Sequence, residues 1–205
     1  MIRLAVIGDI GSGKSHVAKL FGFPVFNADA EVAKLYRKSR KCHNKLKKIL
    51  PNYITTFPVK KFELSKAILD NKQNLKKIVK VVHPEVRNKM NNFIKKNKNK
   101  KFIVLDIPLL IENKINKKND ILIFVDAKKK EIKKRLKKRN ASTKILKKFQ
   151  LPIEIKKKKA NFIVKNNFRD NSVKKNVKRV LGKILLNVWS NTWYRDYWSF
   201  DNTKT

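Results

Sequence analysis

Gly8-Asp9-Ile10-Gly11-Ser12-Gly13-Lys14-Ser15 carries the spacing Gly-x4-Gly-Lys-Ser. Each residue type has a physical reason to be there. Glycines let backbone N–H groups turn inward around phosphate oxygens, and a helix that starts at the end of the loop adds its positive N-terminal end. Lys14 would reach the β- and γ-phosphates of a nucleotide, and the Ser15 hydroxyl would hold Mg²⁺. A plain glycine turn between a strand and a helix does not explain Lys14-Ser15. Gly8, Gly11, Ser12, Gly13, Lys14, Ser15 and His16 are therefore the expected nucleotide-binding residues, with ATP and Mg²⁺ the implied ligands. Two acids stand where they could join them. Asp29 follows a short apolar run, and Asp106 ends the continuous apolar run FIVLD.

The elements that must position these residues follow from hydrophobic pattern. Ile2–Ile7, Pro24–Asn27, Phe102–Asp106, Ile121–Asp126 and Phe162–Val164 read as strands. The two longest apolar runs suit strands buried on both faces of a parallel sheet. Helices are expected over His16–Phe21, Ala28–Lys38, Lys129–Arg139 and Val173–Leu186. Residues 42–82 form short amphipathic pieces broken at Pro51 and Pro58. A longer helix is expected to start near His83-Pro84, since proline suits a first helical turn, and to run toward Lys96. Strands alternating with helices imply an α/β fold built on a parallel sheet of about five strands. In such sheets ligands lie at the carboxyl ends of the strands, where Asp29 and Asp106 fall.

Composition bounds the rest. The 205 residues suit one compact domain, with room for a small inserted subdomain. Cys42 is the one cysteine, so no intrachain disulfide can form. No run approaches the ~20 apolar residues of a membrane span, and the apolar start is too short for a signal peptide. A cytoplasmic protein is the expectation. Lys+Arg outnumber Asp+Glu 53 to 15, a formal charge of +38, which raises the question of a polyanion partner. The charge is carried mostly by lysines spread along the chain, a pattern that suits solvated helix faces and an AT-rich coding bias. No specific nucleic-acid partner is expected. Residues 187–205 differ in kind, with Trp189, Trp193, Tyr194, Tyr197, Trp198 and Phe200 and few lysines. They read as an appended tail, or as an interface or membrane-surface anchor.

Further motifs narrow the substrate: Asn27-Ala28-Asp29, His83-Pro84-Glu85-Val86-Arg87, and Leu105-Asp106-Ile107-Pro108-Leu109-Leu110-Ile111-Glu112. Arg139, Gln150, Lys156 and Asn166 then follow in order. In this order and spacing, over residues 1 to about 186, the chain resembles the dephospho-CoA kinase family. The resemblance implies a three-layer P-loop kinase fold, with a helical substrate-side subdomain over about 42–98 and a short lid over about 139–157. It implies transfer of the γ-phosphoryl group of ATP to the 3′-hydroxyl of dephospho-CoA. Asp29 would then be the general base, with a helix N-cap as its alternative role. Lys14 and Arg139 would be the catalytic cations, with Arg135 competing for the second place. Asp106 would join Ser15 at Mg²⁺, or cap the turn before Pro108. His83, Arg87, Leu109 and Glu112, together with Asp29, would lie toward the acceptor. The two leucines also suit a core, and His83 a helix start.

The chain departs from that pattern in places. Asn27 replaces an acid, which matters little if Asp29 is the base. His16 follows Ser15 where threonine is common. Ten residues separate Arg139 from Gln150, fewer than a full lid has, and Lys165 stands where an acid often precedes the asparagine. Other readings stay open on the residues alone: a P-loop kinase of another small molecule, a nucleic-acid-binding protein, or a switch ATPase without an acceptor.

Overall fold

Leu4-Ala5-Val6-Ile7 and Phe102–Asp106 lack solvent-facing positions because both of their faces are covered. In the computed structural model, which describes residues 1–137 and 150–199 (side chains through residue 188), they are neighbouring strands at the centre of one parallel sheet. The strands are β1 (Ile2–Gly8), β2 (Val25–Asn27), β3 (Phe102–Asp106), β4 (Ile121–Asp126) and β5 (Phe162–Lys165), in the order β2-β3-β1-β4-β5. The chain winds to one side of β1 through β2 and β3, then to the other through β4 and β5. The crevice at such a reversal, above the carboxyl end of β1, is where open α/β sheets hold ligands. Register puts Asn27 and Val6 beside Asp106, and Gly8 beside Val125.

The two-residue period of β1 divides its side chains between two cores. Leu4 and Val6 pack with Val104, Ile123, Val17 and Phe21, under Val177, Val180 and Ile184. The helices there are α1 (Lys14–Leu20) and α8 (Asp170–Ser199). Ala5 and Ile7 face the other way, with Ile103, Leu105, Phe26 and Phe124, beneath Met90, Phe93 and Ile153. That face is covered by the second half of α5 (Gln73–Lys96) and by α7 (Ile153–Lys159). At the amino end of the sheet, Arg3 and Asp120 form an ion pair of 2.6 Å, with side chains only 9% and 2% exposed. It ties β1 to the turn before β4.

A third cluster joins α2 (Ala28–Lys38), α3 (Arg40–Ile49), α4 (Lys61–Asp70) and the first half of α5 through Leu35, Leu46, Ile54, Leu64, Ile78 and Val82. The helical layer therefore begins with α2, ahead of residue 42. The helix expected to start at His83-Pro84 instead starts at Gln73 and carries Pro84 in its interior. The apolar positions Ile78, Val82, Val86, Met90 and Phe93 recur every three or four residues across the proline. Burying that stripe against two cores outweighs the one lost backbone hydrogen bond, whose orphaned carbonyl lies on the exposed side with Pro84. At the other end, α8 runs past residue 186 to Ser199, so residues 187–199 continue a helix. α6 (Lys129–Lys137) carries the basic run after β4.

Glu63, itself buried, organises the turn before α4. Its Oε1 accepts from the Thr55 and Thr56 amides and hydroxyls, and its Oε2 from the Lys60 amide. Burial alone would raise this carboxyl, but the amides of Lys60 and Thr55, the Thr55 hydroxyl and the Thr56 amide outweigh it and hold the pKa at about 2. A pKa depressed on folding stabilises the protein above the unfolded value of about 4.3 and loses that contribution as pH falls toward 2. Glu63→Gln, which cannot accept at both oxygens, is expected to lower stability by about 1–3 kcal/mol at neutral pH. Melting temperatures of both proteins between pH 7 and 2 should converge as the wild-type carboxyl protonates. A constant gap across that range would refute the assignment.

Candidate functional site

An asparagine just past β5 holds the loop between β1 and α1 from behind. Asn166, 3% exposed, donates from Nδ2 to the Ser12 carbonyl at 2.7 Å and accepts from the Phe168 amide at 2.8 Å. Its own amide donates to the Asp126 carbonyl at 2.7 Å. Gly13 passes directly over it, at φ 88°, and a Cβ there would sit 2.3 Å from Asn166 Nδ2. Both the positive φ and the contact demand glycine. The amides of Val17 and His16 bond the Gly13 carbonyl, so the helix begins at once beyond the loop. First-turn amides lack intrahelical acceptors, which with the helix dipole makes this end an anion site.

The Lys14 ammonium lies back across the loop, 2.8 Å from the Asp9 carbonyl and 3.3 Å from that of Gly8. Burial pushes its pKa down, and Lys156 adds to that, while Asp106, Asp9 and Asp29 oppose it. Three carboxylates and two ammonium groups thus share one field at the carboxyl edge of the sheet. Asp106, 3% exposed, accepts a hydrogen bond from Asn27 Nδ2, which also lies 3.5 Å from Ser15 Oγ. Asn27 Oδ1 accepts from the Ala30 amide at 2.7 Å and caps α2. The N-cap considered for Asp29 therefore belongs to Asn27. Asp29 lies inside the first turn of α2, exposed, and within reach of the Lys14 charge. Asn27 connects Ser15, Asp106 and the start of α2. The signal for it in sequence was an N-cap residue type at a strand-to-helix junction.

Glu112 lies in the turn after β3. Its Oε1 accepts from Lys156 Nζ at 2.7 Å and from the Leu151 amide at 3.1 Å. Burial by itself raises this carboxyl, but the Lys156 hydrogen bond and backbone amides bring it below the usual carboxylate range. The Gln150 amide, oriented to satisfy both neighbours, donates to Asp9 Oδ1 at 2.8 Å and accepts from Lys156 Nζ at 3.2 Å. Gln150, Lys156 and Asn166, which the family resemblance picked out without giving them a role, therefore converge on the phosphate loop. Leu109 opens the turn at φ 55°, a strained value for a branched side chain.

The other expected site residues make different contacts. His16 Nε2 lies 3.3 Å from Asp170 Oδ1. His83 and Arg87 are exposed on successive turns of α5, and no hydrogen bond or ion pair among the described residues ties either to the loop. Partial burial, then the Arg87 charge, lowers the His83 pKa. Arg139 lies outside the described residues. Its competitor Arg135 stacks its guanidinium 4.6 Å over the Phe168 ring.

Three comparisons bear on this arrangement. The family described as dephospho-CoA kinase matches residues 2–172. A dephospho-CoA kinase of Wolbachia sp. subsp. Brugia malayi is 32% identical over 191 residues, covering 89% of this chain and 98% of the relative. One from Bartonella quintana is 34% identical over 172 residues, covering 78% and 87%. Among solved structures, a Thermus thermophilus protein superposes with a TM-score of 0.69 at 27% identity over 89% of this chain and 97% of its own. The dephospho-CoA kinase from Campylobacter jejuni superposes with a TM-score of 0.63 at 24% identity, over 89% and 96%, a likeness of fold.

Asn166→Asp tests the support behind the loop. It keeps the acceptor for Phe168 but turns a carboxylate oxygen toward the Ser12 carbonyl. Loss of a buried donor costs about 1–3 kcal/mol, and ATP affinity measured by calorimetry should fall by roughly tenfold or more, at 1.4 kcal/mol per decade. Unchanged affinity would show that the asparagine does not hold the loop.

Proposed function

The chain belongs to the dephospho-CoA kinase family, and we propose which of its residues do each part of the reaction. It phosphorylates dephospho-CoA with ATP, in coenzyme A biosynthesis. In our reading the acceptor is the 3′-hydroxyl of the ribose. The observation that carries the site assignment is that Lys14 lies on the loop carbonyls while strand register and the Asn27 contacts bring Asp106, Ser15 and the start of α2, which carries Asp29, to the same edge of the sheet.

A ribose hydroxyl attacks well only when its proton has somewhere to go. Asp29 is exposed, relieved of capping by Asn27, and the carboxylate we assign to accept that proton. As the acceptor oxygen bonds the γ-phosphorus, the bond to the β,γ-bridging oxygen breaks and ADP leaves. Lys14, drawn from the loop carbonyls to the nucleotide, offsets charge on the β- and γ-phosphates. Gly8, Gly11, Ser12, Gly13, Ser15 and His16 line the same loop and bind the nucleotide with it. Arg139 is proposed as the second cation on the transferring group.

The oxygen donors beside Lys14 suit a hard cation. Ser15 is exposed, and the Asp106 carboxylate is buried with an amide as its neighbour. These two would hold Mg²⁺, which supplies charge neutralisation on the phosphates when bound. Among the described residues there is no cluster of three or more His, Cys, Asp or Glu that could hold a metal. That suits an ion held by one carboxylate and by the substrate's own phosphates. His83, Arg87 and Leu109 are assigned to the acceptor side, and Arg87 offers a forked donor for a phosphate. No helix among the described residues is long and apolar enough to cross a membrane.

The test is conversion of dephospho-CoA to CoA with MgATP, followed by mass spectrometry. Asp29→Asn is expected to lower kcat by about 10²–10⁴ with nucleotide binding retained. If the wild type binds ATP but forms no CoA, the acceptor assignment falls. If Asp29→Asn turns over at the wild-type rate, the base assignment falls alone.

A further inference from the structure

Lys156 is an unusual lysine in a chain where lysines face solvent. It is 3% exposed, on α7, and its ammonium is enclosed by Glu112 Oε1 at 2.7 Å and the Gln150 carbonyl oxygen at 3.2 Å. A buried ammonium persists only when paired and hydrogen-bonded. Here each member of the pair has a further partner: Glu112 holds the Leu151 amide, and Gln150 passes the connection to Asp9. Asp9 in turn accepts from the Ile10 amide through its side chain at 2.7 Å and from Lys14 through its carbonyl at 2.8 Å. The path Glu112–Lys156–Gln150–Asp9 therefore begins in the turn after β3 and ends on the carboxylate of the residue whose carbonyl holds the loop lysine.

We infer that this path is a strut that sets the phosphate loop against the turn after β3, and that Glu112 and Lys156 are positioning residues for the nucleotide site. Glu112 thus acts through Lys156, and the acceptor makes no direct use of its carboxylate. Three observations support this. The carboxylate is largely buried and its Oε1 already has two donors. The turn that carries it holds Leu109 at φ 55°, a conformation that survives only where surrounding contacts impose it. And the Lys156 charge is felt at Lys14, so altering its compensation alters the field on the loop. The inference rests on the proposed function for what the loop binds, and on this chain's own contacts for the strut.

The experiment compares wild type with Glu112→Gln, Lys156→Met, the double variant, Lys156→Arg and Gln150→Ala. Binding of a non-hydrolysable ATP analogue with Mg²⁺ is measured by calorimetry, and KM for each substrate is measured with kcat. If the strut positions the loop, each of Glu112→Gln, Lys156→Met and Gln150→Ala weakens the analogue by about tenfold or more, as a misplaced support does. KM for dephospho-CoA in Glu112→Gln then stays within about threefold, and Lys156→Arg recovers most of the affinity. The double variant, which leaves a neutral pair, is no weaker than the worse single, because groups acting through each other are not additive. Gln150→Ala leaves the buried pair intact, so it reads the strut even if a charge variant does not fold. Wild-type analogue affinity in Gln150→Ala would overturn the proposal. So would Glu112→Gln that raises KM for dephospho-CoA alone, which would make Glu112 an acceptor ligand. Analogue binding is read without any acceptor, so a wild type that fails to make CoA refutes the substrate while the strut is still judged.

Discussion

Parallel register is the constraint on which the rest depends. Because β1, β3 and β4 run the same way, Gly8, Asp106 and Val125 come to one edge, and β2 brings Asn27 beside Asp106. The carboxyl ends of the strands are the one place where a buried sheet offers backbone and side chains to a ligand. The apolar residues on both faces fix that register, since a one-residue slip would exchange Leu4 and Val6 with Ala5 and Ile7 between two differently shaped cores.

The site lies on that edge as a set of shared charges. The charges of Asp106, Asp9 and Asp29 favour the Lys14 ammonium, while burial and the Lys156 charge oppose it. With 53 cationic side chains in the whole molecule, most of the charge is solvated and screened within about 8–10 Å in physiological salt. Lys14 and Lys156 act differently because they are removed from water. One faces loop carbonyls, and the other is neutralised by Glu112. Long-range attraction of anionic substrates can come from the whole surface, whereas these two lysines are held by specific neighbours.

One continuous helix links the helical layer to the sheet. α5 contributes Ile78 and Val82 to the helical core and Met90 and Phe93 to the sheet, with Val86 shared by both. It is continuous across Pro84, packs against α2, which carries Asp29, and leaves His83 and Arg87 exposed. A break at Pro84 would have let the two cores move independently.

Much of this was legible in the residues. Spacing alone marked Gly8–Ser15 as a phosphate loop, because glycine, lysine and serine at those intervals answer one chemical need. Continuous apolar runs identified β1, β3 and β4, since strands buried on both faces have no polar alternation to hide. The start of α2 at Ala28 was equally clear. What sequence could not decide were relations between distant residues. Pro84 looked like a helix start because the rule for proline is local, whereas burial of a stripe on two cores decided otherwise. Asn27 looked like a lost acid until Asp106 and Ser15 were placed beside it. Lys156 was one lysine in a basic run, and only tertiary packing removed it from water and set it against Glu112, 44 positions away. Local chemistry is written in residue type and spacing; pairing between far segments is set by which surfaces bury each other.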